Sequence, residues 1–222
     1  MVNPLFKTTQ GKLLITSICM ALALVVTIGF YLVTDAALAK TLILTFFANT
    51  FGGRSVGIGL CILQGLTTFP TIFYNFYLEV MVVLFTYAVF ALTTSNYLRV
   101  EWVARAMERV AETALKQKHK IERFGWLGIF LFVMIPLPVT GPVVGAIIGS
   151  MIRLSLVRNF SATFLGTLTA LVLWFEFFEF LDERFQMIQS FFAIILILVL
   201  IPYFGKIRRL IHSLRRKKPL DP

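Results

Sequence analysis

The chain has 222 residues, of which 58% are hydrophobic and only 14% charged; that excludes an ordinary soluble domain and offers repeated runs near the roughly 20 residues that cross a bilayer. It reads as an integral membrane protein with a formal net charge of +10. A basic balance of that size can mark a nucleic-acid partner, but here lysine and arginine cluster beside apolar runs, so the charge is topological and no nucleic acid is implied.

All the basic residues except Lys40, Arg54 and Arg184 fall in four places: before the first apolar run, between Arg99 and Arg123, at Arg153 and Arg158, and from Lys206 onward. By the positive-inside rule all four are cytoplasmic, which puts both termini on the inner side of a bacterial or archaeal cytoplasmic membrane. Residues 1–34 form the first crossing. Its apolar run, 13–33, precedes an Ala37-Leu38-Ala39 that imitates a cleavage site, yet it exceeds the roughly 7–15 residues of a signal-peptide core. Asp35 marks the far side.

Residues 35–94 form a first repeat. The run 38–51 stops at Gly52-Gly53-Arg54-Ser55, and 56–66 is a second short apolar piece, so the two predict a re-entrant hairpin opening to the outside. The run 69–92 then crosses inward. Residues 95–124 predict a charged amphipathic helix on the inner membrane surface, with Val100, Val103, Ala104, Met107, Val110, Ala111 and Ala114 on one face. Such a helix serves either as an interfacial linker beside anionic lipid or as a partner-binding element.

Residues 125–176 form a second repeat. The run 125–151 is long enough to enter the membrane, but Pro136, Pro138 and Pro142 each remove a backbone donor and bias the preceding residue away from helix, so Ile135 to Gly141 is predicted non-helical. It begins and ends beside cytoplasmic charges, which makes it a hairpin entering from inside. Residues 160–175 then cross outward, Glu176, Glu179, Asp182 and Glu183 lie outside, 177–205 contains the last crossing, and 206–222 is a basic cytoplasmic tail. The expected fold is therefore all-α: a single polytopic membrane domain with two oppositely oriented re-entrant hairpins in an inverted repeat. That repeat rests on topology rather than on sequence identity between the halves.

The residues Arg123-Phe-Gly-Trp-Leu-Gly-Ile-Phe-Leu-Phe-Val-Met-Ile-Pro-Leu-Pro-Val-Thr-Gly141, with Gly145 and Gly166 beyond, resemble the core of the small multidrug export family of prokaryotic membrane proteins, a family similar in design to the DedA/VTT superfamily. The resemblance covers roughly residues 121–175. In the first half Arg54 and Tyr74-Asn75 stand where such proteins have comparable elements, but Gly52 replaces an acid and Ile58 a proline. Val133 and Thr140 stand where DedA proteins carry arginines. The resemblance implies two opposed hairpins packed on crossing helices and a transport role, with drugs and lipid carriers as rival substrates.

Several residues stand out by their own chemistry. Glu79 lies mid-span, where a carboxylate must be paired, protonated or wetted; it is a proton site, a substrate ligand or the neutralising partner of Arg54. Thr68, Thr71, Asn75, Glu79 and Thr86 place a polar stripe on one helix face. Arg54, at the first hairpin's tip, can hold an anionic head group through paired hydrogen bonds, or can snorkel to the interface. Asn75, Pro136, Pro138, Thr140 and Gly141 complete the candidate substrate site, because proline leaves nearby carbonyls without helical partners. Gly141, Gly145 and Gly149 make a small-residue packing face. Thr163, Thr167 and Ala170 form a weaker stripe.

Gly53-Arg-Ser-Val-Gly57 imitates a nucleophile elbow, but Ser55 has no histidine base within reach, so no enzyme is expected. No metal site is expected and no cofactor; Cys19 and Cys61 behave as small hydrophobes. The expected partners are membrane lipids and an amphipathic or lipid-phosphate substrate moved with Glu79 as proton carrier, and a homo-oligomer is compatible with the chain. Export of cationic drugs and a non-transporting scaffold are the alternatives.

Overall fold

The computed structural model describes residues 8–95, 101–135 and 141–181, and every element in them is helical. In chain order they are α1 (Thr9–Thr34), α2 (Ala36–Gly52), α3 (Arg54–Leu63), α4 (Thr68–Thr94), α5 (Glu101–Glu122), α6 (Gly125–Met134), α7 (Gly141–Met151) and α8 (Leu156–Leu181). Three of these, α1, α4 and α8, are long and apolar enough to cross a membrane. The other apolar helices come as two short pairs, α2–α3 and α6–α7. The protein is thus a multi-pass, all-helical membrane protein. By contacts the chain divides into Met1–Glu176 and Phe177–Pro222, the second described only at the end of α8; the packing below concerns the first.

Local chemistry accounts for each boundary. Asp35 ends one helix and starts the next: its backbone N–H donates to Tyr31 O, while its carboxylate accepts from Leu38 N–H at 3.0 Å. The chain then turns between α2 and α3 at Gly53, whose φ of 82° favours glycine. At α6 the last described residue before the prolines, Ile135, is extended at φ −64°, ψ 133°, the geometry a following proline demands. Gly141, expected outside the helix, is its first residue. Pro142 sits in the first turn, where no helical donor is needed, and so starts α7 instead of breaking it.

The far ends of α3 and α7 close alike. In the first, Leu66 N–H donates to Cys61 O and Gly65 N–H to Ile62 O; in the second, Leu154 N–H donates to Gly149 O and Arg153 N–H to Ser150 O. Both are left-handed C-terminal caps, with Gly65 at φ 77° and Arg153 at φ 59°.

Packing gathers α1, α2, α3 and α4 around Leu24, Leu42, Cys61, Leu78 and Met81. A second cluster joins Ala114 and Ile121 of α5 to Ile129, Val133, Val144, Ile147 and Ala162. The inward face of α5 is therefore covered by protein: Ala114 is fully buried and Val110 packs on the same cluster. Val83 and Tyr87 of α4 meet Ala146 of α7, with Phe160 and Phe164 packed beside them, and so knit the two halves together. Finally, α8 starts four residues before the expected crossing and continues through Glu176 and Glu179, which lie within the helix rather than beyond it.

Candidate functional site at the meeting of the two broken helix pairs

Arg54 is the first residue of α3 and is 5% exposed. Its Nη1 donates to Val133 O at 3.1 Å, a contact between the tip of one broken pair and the end of the other. The geometry follows from the break itself. Because α6 stops at Met134, the carbonyl of Val133 lacks its ordinary helical donor, and the partial negative charge at a helix C-terminus favours a cation there. The other half of the guanidinium is unspent: Nη2 is buried and finds no hydrogen-bond acceptor among the described residues. A Cβ built on Gly141 would lie 3.1 Å from that nitrogen, so the start of α7 runs directly past it.

Two helix starts therefore converge on Arg54. The first turn of α3 has no side-chain cap, and α7 begins at Gly141. Glu79 supplies the opposing charge and is the acidic group whose field Arg54 feels. It is half-buried, on the α4 face shared by Phe76 and Val83, which pack against Phe164 and Ala146 of the second half. A cation, a carboxylate and two helix starts thus share the interface between the pairs. Such a constellation can bind an anionic group or exchange a proton, and it contains no nucleophile–base couple.

Asn75 is placed differently from the expected ligand role. It is fully buried, and its Oδ1 accepts from Asn49 Nδ2 at 3.0 Å while its own Nδ2 donates to Thr71 O at 2.8 Å and reaches Cys61 Sγ at 3.7 Å. The side chain also sits on Gly57, where a Cβ would fall 2.4 Å from Oδ1. With its amide spent inside the protein, Asn75 clasps α4 to α2 and α3. Of the stripe on α4, Thr71 is fully buried, whereas Thr68 is exposed. Cys61 is held by Thr45 at 3.3 Å and Cys19 is exposed, so the two thiols are unconnected.

The second half has a clasp that the sequence reading missed. Asn159 of α8 is fully buried, donates through Nδ2 to Ala146 O at 2.7 Å, and lies on Gly149, where a Cβ would come within 2.1 Å of Oδ1. Its Oδ1 and the Oγ1 of Thr163, one turn on, have no hydrogen-bond partner among the described residues. Thr163 and Thr167 had been marked as a stripe; the same four-residue spacing carried back one step reaches Asn159. The three glycines of α7 each meet a different helix: Gly141 meets Arg54 of α3, Gly145 meets Val133 of α6, and Gly149 meets Asn159 of α8.

The candidates Pro136, Pro138 and Thr140 lie outside the described residues. Ser55 is half-buried, and no group of metal-ligating side chains occurs among the described residues. Residues 54–173 match a family described as "Putative small multi-drug export protein". The chain belongs to that family. The match starts at Arg54 itself, so of the first broken pair it takes in α3 but not α2. No curated protein and no solved structure matches the chain.

Proposed function

We propose that this member of the small multi-drug export family is a secondary transporter of amphipathic molecules, and that Arg54, Gly141 and Glu79 form its substrate site. The observation that carries the reading is a buried arginine, one nitrogen of which has no hydrogen-bond acceptor among the described residues, held where two broken helices meet. Keeping a cation at membrane depth without a full complement of partners is costly, and such residues serve substrate or ion pathways. A phosphate-type head group suits Arg54 Nη2 and the helix start of α7 beside it. The favoured cargo is therefore an anionic lipid, with Glu79 taking up the proton that balances its charge. The family's description instead names drugs, and for a cationic drug Glu79 is the countercharge.

In this reading both broken pairs are re-entrant and oppositely oriented in a cytoplasmic membrane, with both termini inside. Internal correspondences support it. At one constant offset, Gly53, Val56, Gly57 and Leu66 of the first half meet Gly141, Val144, Gly145 and Leu154 of the second, and the capping residues Gly65 and Arg153 fall in register. The same offset carries Thr71, Asn75 and Glu79 onto Asn159, Thr163 and Thr167, two polar stripes on α4 and α8. Phe76 maps onto Phe164, and these rings touch edge to face at 6.3 Å, as equivalent residues do beside a two-fold axis. Related halves that rock about such an axis are the general route to alternating access.

The test is reconstitution of the full chain in liposomes, following a fluorescent lipid phosphate and a cationic dye, each with and without a pH gradient. The proposal expects gradient-driven movement of the lipid phosphate and its loss in Arg54→Gln, which keeps a donor for Val133 O but removes the charge. Movement of the dye alone would select drug export. Movement of neither would favour a membrane scaffold.

A further inference from the structure

Away from the Arg54 centre, a cavity of about 350 Å³ opens between α1, the start of α2 and the start of α4. Its walls include Leu24, Thr27, Tyr31, Leu42, Phe73 and Tyr77, and no charged residue lines it. All but one of the hydroxyls in those walls are already used. Thr27 donates to Ala23 O at 2.8 Å, Tyr74 OH to Leu42 O at 2.8 Å, and Tyr77 OH to Met20 O at 2.6 Å. Of the hydroxyls lining the cavity, only that of Tyr31 makes no hydrogen bond among the described residues. A charged head group would find nothing here to replace its water.

Shape narrows the occupant further. The lining runs from Ala23 to Tyr31 along α1, about 12 Å at the helical rise of roughly 1.5 Å per residue, and from Pro70 to Tyr77 along α4, about 10 Å. Both helices are long enough to cross the bilayer, so the slot lies along the direction in which lipid chains run. One end is at Tyr31, beside the α1–α2 turn capped by Asp35, where a polar head group belongs; the other reaches the Tyr77–Met20 contact within the spans. None of Arg54, Glu79 and Gly141 lines it, so the slot is built from residues other than those of the polar centre.

We infer that this slot is a binding site for one hydrocarbon chain of a membrane lipid, entering from the leaflet at the Asp35 end and wedging α1 against α2 and α4. The site is independent of the transport reading. It is tested with the full chain in phosphatidylcholine vesicles whose lipid carries a diazirine midway along one acyl chain, followed by irradiation and mapping of adducts by mass spectrometry. Ordinary surrounding lipid reaches Val26, 71% exposed, but not Leu42 or Tyr74, at 8% and 9%. The slot predicts adducts on Leu42 or Tyr74 at least as frequent as on Val26. Ala23→Trp and Thr27→Trp, at exposed positions on the slot's wall, should cut the buried adducts at least tenfold and leave Val26 unchanged. Adducts confined to exposed positions overturn the inference in the wild type alone, and so does buried labelling that survives in the folded filled variants.

Discussion

Gly57→Ala gives the sharpest reading of how the first broken pair is held. The added methyl would lie 2.4 Å from Asn75 Oδ1, 3.1 Å from Asn49 Cβ and 3.2 Å from Asn49 Nδ2, and the nearest of these is too close to survive without movement. Asn75 cannot retreat freely, because its Nδ2 is tied to Thr71 O and Cys61. Relief therefore breaks the Asn49–Asn75 bond and strands a buried donor and acceptor, at about 1–3 kcal/mol for each group left unsatisfied. Alanine returns about 1 kcal/mol of helix propensity. The net cost is about 1–5 kcal/mol, and α3, with Arg54 one turn upstream, is pushed from its seat. Thermal unfolding of the purified protein should show a clear drop in Tm, together with reduced transport. Asn75→Ala in the same chain removes the clash, so the double variant should be no less stable than Asn75→Ala alone. A Gly57→Ala protein with wild-type Tm would refute the clasp.

Gly149→Ala tests the second clasp; the Cβ meets Asn159 Oδ1, but only the Asn159–Ala146 bond is at stake, so the loss of Tm should be smaller than for Gly57→Ala. Arg153→Gly places the permissive residue at a left-handed cap that Gly65 already occupies in the first half, and should stabilise by about 1 kcal/mol; a fall in Tm would mean that the arginine's charge outweighs its backbone strain. Cysteines at Ser95 and Arg153 should label from the same side of the membrane if α6–α7 is re-entrant, and labelling from opposite sides would make it a crossing. Glu79→Gln keeps volume and loses charge, so a proton carrier predicts a folded protein without response to a pH gradient; a mutant still fully responsive ends that role.

Much of this fold was legible because apolar runs and their interruptions are strong signals. The helix boundaries expected at 52–55 and 134–135 appear where Gly53 and the proline-constrained Ile135 force them. Pro142 was misread, since a proline that breaks a helix and one that begins it look alike until the start of the helix is known. The amphipathic face of α5 was identified, but a sequence cannot say whether lipid or protein covers it; here α6 and α7 do. Arg54 and Glu79 were conspicuous as charges in apolar runs. Asn75 and Asn159 were harder. A buried asparagine is ligand or clasp according to whether its amide is already bonded, and the bonds come from Asn49, Thr71 and Ala146, distant in sequence or hidden by helical geometry.

Under the proposed repeat the two halves are unequal, and the inequality bears on mechanism. At the constant offset Arg54 meets Pro142 and Glu79 meets Thr167, so both ionisable groups of the centre belong to the first half alone. The first clasp is fully bonded, through Asn49, Thr71 and Cys61, whereas the second leaves Asn159 Oδ1 and Thr163 Oγ1 without partners among the described residues. The first half is thus the better-fixed frame that carries the charge. Among the described residues the second touches it through apolar packing, a ring pair and the Arg54–Val133 hydrogen bond, and a single charge-assisted bond is worth about 1.5–3 kcal/mol. That is small enough to exchange for a bound anion on the same guanidinium. On the proposed reading, binding to Arg54 would then compete with the bond that holds α6 in place, so a group that recognised the substrate would also release the second broken pair.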